Sequence, residues 1–71
     1  MPKDDRILVV RWCERGGIGT RTSTPFETFA EAKAFADKLR HSHNAYNVDE
    51  TYVDKGYYNS TLRPWGAPEV K

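Results

Sequence analysis

The hydrophobic and polar positions fall into two rhythms. Between Thr28 and Arg40, Ala32, Phe35, Ala36 and Leu39 recur at i, i+3, i+4 and i+7. That spacing makes one apolar stripe on a helix, with Glu31, Lys33, Lys38 and Arg40 largely on the wet side. Thr28 and Glu31 have the spacing of a capping box, in which the hydroxyl and the carboxylate each serve an orphan N–H of the first turn. Lys38, Arg40 and His41 occupy the last turn, where the helix dipole favours positive charge. Asn44, in the polar exit, is the expected left-handed cap.

The rest reads as strand and turn. Ile7-Leu8-Val9-Val10-Arg11-Trp12-Cys13 is the most apolar run and the first strand. Arg15-Gly16-Gly17-Ile18 is a hairpin turn, because paired glycines supply the positive φ that such turns need. Thr20-Arg21-Thr22-Ser23-Thr24 is β-branched but polar, which suits a solvated edge strand. Tyr46 to Val53 forms a third strand, Asp54-Lys55-Gly56 a turn, and Tyr57 to Leu62 a short fourth strand. Arg63-Pro64-Trp65-Gly66-Ala67-Pro68 cannot continue a central strand and is expected to be an extended tail.

These elements predict an α+β fold, β1-β2-α-β3-β4. A three- to four-stranded antiparallel sheet of order 2-1-3-4 carries one helix on one face. The chain is one domain, residues 1–71, with its core at about 6–62 and flexible or extended tails at 1–5 and 63–71. Alternation sends Leu8, Val10 and Trp12 to one face of the first strand and Ile7, Val9 and Cys13, with Arg11, to the other. The first set goes under the helix, because Trp12 needs a large dry surface. On the third strand Val48 and Tyr52 are assigned to the helix side, which Glu50 would share. Ile7 and Val9 are then left on a face that one helix cannot cover. Either the tail folds back with Trp65 as a plug, or another chain covers them.

Length and charge narrow the picture. Seventy-one residues bury only about 60% of the unfolded surface, so a partner or a second copy would help stability. Net charge is +1, which argues against a strongly electrostatic partner. The lone Cys13 excludes an internal disulfide framework and is compatible with a reducing compartment. No apolar run is long enough to span a bilayer and no export signal is apparent, so a cytoplasmic location without membrane attachment is expected.

Candidate chemistry is sparse. His41 and His43 with Asp49 and Glu50 lack the spacing of a metal ligand set and read as surface residues. Gly16-Gly17-Ile18-Gly19 leads into a strand, whereas phosphate loops lead into a helix N-terminus. Cys13 has no base placed beside it by any signature, and the adjacent carboxylates Asp4-Asp5 and Asp49-Glu50 would point to opposite faces of a strand. No catalytic residue, metal ligand, cofactor or small-molecule substrate is indicated.

Two binding readings remain. The leading one is a non-enzymatic interaction protein, docking on a protein partner or a second copy through Ile7, Val9, Tyr57, Tyr58 and Trp65. The alternative is a nucleic-acid-binding module that uses Arg11, Arg15 and Arg21 on the hairpin, since a two-stranded ribbon can enter a major groove.

The run Val10-Arg11-Trp12, Gly16-Gly17, Thr20-Arg21-Thr22, Phe26-Glu27-Thr28, Glu31-Ala32, Phe35, Leu39 resembles the N-terminal arm-binding domain of phage-type tyrosine integrases over residues 10–40. The resemblance implies that Arg11 and Arg21 lie on a DNA-facing sheet. Those domains place three strands before the helix; this chain has two before it and one or two after. In size and strand-strand-helix-strand layout the chain is also similar to small phage-encoded inhibitors of the anti-CRISPR type, a likeness of architecture that no residue carries.

Overall fold

The computed structural model describes residues 5–71. The expected polar start at residues 1–5 thus lies outside the described residues except for Asp5. Strand β1 (Arg6–Glu14) turns into β2 (Thr20–Thr22), and helix α1 (Phe29–Arg40) leads to β3 (Ala45–Asp54). The sheet is antiparallel with order β2-β1-β3, so the most apolar strand is central. The fold is α+β, as the two rhythms predict.

Residues 57–62 do not form the expected fourth strand. The chain leaves β3 through one helical turn, α2 (Lys55–Tyr57), and a π-helical turn, Tyr58–Leu62. Local chemistry starts it: the Asp54 carboxylate accepts from the Tyr57 N–H at 3.1 Å, the capping bond that turns an extended strand into a helix. The wider turn closes where Arg63 N–H donates to Tyr58 O at 2.7 Å.

Helix α1 begins at its cap. Thr28 Oγ1 accepts from Glu31 N–H at 3.2 Å. The Glu31 carboxylate accepts from the Thr28 hydroxyl at 3.0 Å rather than from the backbone. At the other end His41 is right-handed. Among the described residues the left-handed non-glycine residue is not Asn44 but Asn47, at φ 55° within β3. Between Arg11 and Cys13 the β1–β3 register gains one residue on β3, because Arg11 faces Asp49 whereas Cys13 faces Tyr46. Asn47 is therefore a bulge residue.

The helix side of the sheet is a dry layer. Leu8 and Val10 lie with Ala32 and Ala36, and around them pack Trp12, Phe26, Phe35, Leu39 and Val48. Small Ala32 and Ala36 let α1 approach closely, and the aromatic residues fill the flanks. Phe35 meets Trp12 edge-on with centroids 5.7 Å apart and Phe26 at 5.4 Å. Each fully buried Leu or Val here contributes about 1.5–3 kcal/mol. Leu8 faces Tyr52 and Val10 faces Glu50 across the ladder, so both β3 residues lie on the helix side. Glu50 is tolerated there because the Arg40 guanidinium of α1 binds its carboxylate and also donates to Val48 O beside the bulge, at 3.3 Å. Tyr52 stays 57% exposed.

Candidate functional site

On the other face of the sheet β1 presents Ile7, Val9 and Arg11, and β3 the opposed Val53, Thr51 and Asp49. Val9 is fully buried, although it lies outside the cluster beneath α1. Tyr58 is likewise fully buried and outside that cluster. Lying in the segment after β3, it is the aromatic residue available as a plug for the Val9 face. The expectation that Ile7 and Val9 form an open docking surface needs correction: Val9 is sealed by the chain's own residues and Ile7 is half-buried.

Trp65 is not that plug. It is 101% exposed. Nor is the tail around it extended. Ala67 N–H donates to Pro64 O at 3.0 Å, and Gly66 sits at φ 84°. A β-turn with positive φ at its third residue is the type II pattern, which favours glycine there. Trp65 occupies the second position, at the tip. Arg63 Nη1 donates to Ala67 O at 3.3 Å across the turn. Beyond it the Asn59 side chain holds Val70 by two bonds, Nδ2 to Val70 O at 2.7 Å and Val70 N to Oδ1 at 2.9 Å. Tyr57, 50% exposed, belongs to the same segment.

Of the five residues expected at a docking surface, the structure thus leaves Tyr57 and Trp65 accessible and Ile7 half so. It takes Val9 and Tyr58 inside. The paired tyrosines show why sequence alone misses this. In either a strand or a helix Tyr57 and Tyr58 point in different directions, and only the path of the chain selects which turns inward. The Asn59–Val70 clasp, which orders the tail, leaves no pattern in the sequence.

The hairpin arginines diverge. Arg21 faces Trp12 across the ladder whereas Arg11 faces Thr22, so the two side chains leave opposite faces of the ribbon. Arg21 Nε pairs with Glu14 at 2.5 Å. Arg15 Nε donates to His43 O at 2.8 Å, and the guanidinium stands 5.7 Å from the centre of the Tyr46 ring. Arg11 Nε is buried and has no hydrogen-bond partner. Each arginine is thus placed separately and no common cationic surface forms from the three.

The remaining candidates stay apart as well. His41 Nδ1 lies 2.8 Å from Asp37 O, and Asp49 and Glu50 point to opposite faces. Cys13 Sγ is 3.8 Å from Thr20 Oγ1. Among the described residues no group of three or more His, Cys, Asp and Glu converges as a metal site, and no pocket is enclosed. No helix among them is long and apolar enough to cross a membrane. The β1–β2 tip carries a second wholly exposed apolar residue, Ile18.

Burial raises the Tyr58 phenol above its ordinary value, against an opposing pull from the positive charge of Arg63. The Tyr58 hydroxyl has no hydrogen-bond partner. No protein-family model matches the chain, and no curated protein or solved structure matches it either.

Proposed function

We propose that the chain is a non-enzymatic docking module that engages a protein partner through its C-terminal segment, with Trp65 as the anchor and Tyr57 as a second aromatic contact. The observation that carries this reading is Trp65, wholly exposed at the tip of a turn that is tied at both ends. An indole left in water forgoes the largest apolar burial any side chain can offer. Tryptophan is also the residue type most enriched among interface hot spots. The ties lower the entropy that binding must remove, because the turn is already shaped before a partner arrives.

Charge supports a protein rather than a phosphate backbone as the occupant. The turn and its flanks, residues 63–69, carry one cation, Arg63, and one anion, Glu69. Phosphate binding draws on several free lysines or arginines, and the hairpin arginines are dispersed. A second copy of this chain is the other protein occupant the reading admits.

The test is affinity capture from cell extract with the intact chain and its Trp65→Ala variant, with and without nuclease, beside a mass measurement of the free chain. Capture of a discrete protein that resists nuclease and weakens at least about tenfold with Trp65→Ala is expected, the loss of a modest hot spot. A dimer that Trp65→Ala dissociates would identify the second copy. Capture indifferent to Trp65, or abolished by nuclease, overturns the reading.

A further inference from the structure

The segment that carries Trp65 is joined to the rest of the molecule in an unusual way. Lys55 N–H donates to Asp5 O at 2.8 Å and Tyr57 N–H to Asp54 Oδ2 at 3.1 Å, both at the point where the segment leaves β3. Past that point its hydrogen bonds turn inward. Ser60 Oγ donates to Tyr57 O, Arg63 N to Tyr58 O, and Ala67 N to Pro64 O; Arg63 bonds Ala67, and Asn59 clasps Val70. Among the described residues the hydrogen bonds found for 58–71 all stay within 57–71. The segment is tied to itself, and Tyr58 is its one fully buried residue.

Helix α1 is attached differently. Besides its apolar stripe, it reaches β3 through Arg40, which binds the Glu50 carboxylate and Val48 O. The Tyr58 hydroxyl has lost water and gained no partner. A buried donor without an acceptor weakens the closed state by its unrecovered desolvation. Arg11 Nε on the Val9 face and Trp12 Nε1 on the helix side are buried and equally without a partner.

We propose that residues 55–71 form a strap that lifts from the sheet as a unit while the sheet and α1 stay folded, with Tyr58 as the latch. The hinge lies at Asp54–Lys55, where β3 ends. Opening uncovers the face of Ile7, Val9, Thr51 and Val53 and frees the Tyr58 hydroxyl to meet water. Closing restores the burial of one aromatic ring and of Val9. The balance is set by a single plug whose apolar ring favours closure and whose hydroxyl opposes it, so the two halves of one side chain work against each other. Because the strap also bears Tyr57 and Trp65, opening would move the docking residues as well. Only that consequence rests on the docking reading; the opening itself belongs to the free chain.

Native-state hydrogen exchange on the full chain, followed residue by residue without any partner, tests this. The amides of Arg63, Ala67 and Val70 are expected to exchange together, at least about tenfold faster than those of Val10 and Ala36, as a separately opening unit does. Tyr58→Phe keeps the ring and removes the stranded hydroxyl. It is expected to slow strap exchange about tenfold, with Val10 and Ala36 unchanged. Tyr58→Ala is expected to bring strap amides close to the unprotected rate while the other two stay protected. One common rate for strap and sheet overturns the proposal. So does global unfolding of Tyr58→Ala, or a Tyr58→Phe variant whose strap exchanges as fast as, or faster than, the parent's.

Discussion

The two faces of the central strand are covered by different kinds of layer. On one, Leu8 and Val10 lie under a twelve-residue helix that is capped by Thr28, flanked by a Trp12–Phe35–Phe26 aromatic chain, and fastened to β3 through Arg40. On the other, Val9 is buried apart from that layer, and the strap proposed to cover it bonds to itself and contributes Tyr58. The difference is one of redundancy. Losing any one contact beneath α1 leaves several others in place, whereas the strap offers one fully buried ring, Tyr58. Neighbouring residues of a strand, Val9 and Val10, are equally buried yet belong to different layers.

Substitutions can break or sharpen that contrast. The largest effect belongs to the helix side. Leu8→Ala removes the side chain at the middle of the α1 layer and should destabilise the whole molecule by about 2–5 kcal/mol in denaturant unfolding. A loss under 1 kcal/mol would mean the layer is looser than its packing indicates. Next comes the bulge that keeps Val48 toward α1. Asn47→Val forces a β-branched residue into the left-handed region and should cost about 1–2 kcal/mol. Asn47→Gly should be neutral or stabilising in the same assay, and equal losses from both would place the role of Asn47 in its side chain. Thr28→Ala removes the cap of α1 and should lower stability by about 1 kcal/mol, with the helix amides losing protection before those of β1.

The strap side should respond to alkali. Burial holds the Tyr58 phenol above its unfolded value of 10.0, and the neighbouring Arg63 charge only moderates this. In an opened or unfolded chain the phenol ionises near 10, whereas in the closed chain it ionises later. Closure is therefore independent of pH below about 10 and weakens as pH rises beyond it. Absorbance titration combined with exchange at Val70 should show the strap loosening in that window, and Tyr58→Phe should abolish the dependence. The smallest stability effect is expected for Trp65→Ala, within about 0.5 kcal/mol, because the side chain touches solvent rather than a core. A large loss would show that the indole supports the fold instead of awaiting a partner.

Local chemistry was readable along the chain. Thr28 and Glu31 announced the helix start, Ala32, Phe35, Ala36 and Leu39 its buried stripe, and the alternation of Leu8, Val10 and Trp12 the face beneath it. The glycine turn was readable too, with Gly16 at φ 79°. These depend on contacts within a few residues, so a one-dimensional pattern carries them. The placement of Asn47 was not readable, because a bulge exists only relative to a partner strand. Glu50 could be located on the helix side only as a conflict, since its resolution by Arg40 joins residues ten apart. The region after Asp54 was misread as strand because its β-type composition, Tyr57-Tyr58-Asn59-Ser60-Thr61, competes with one capping bond from Asp54.

By itself, then, the order of residues determined an α+β layout with β1 in the middle and one long helix over Leu8 and Val10. It also set out a question, the fate of Ile7 and Val9. Only the tertiary structure answered it, by burying Val9 and Tyr58 within the chain and raising Trp65, wholly exposed, on a turn. The physical reason is that periodicity records which side chains must leave water. It does not record which distant segment will exclude that water, because several aromatic residues could fill the same role. Chain geometry, through the exit angle after Asp54 and the Asn59–Val70 clasp, made the choice.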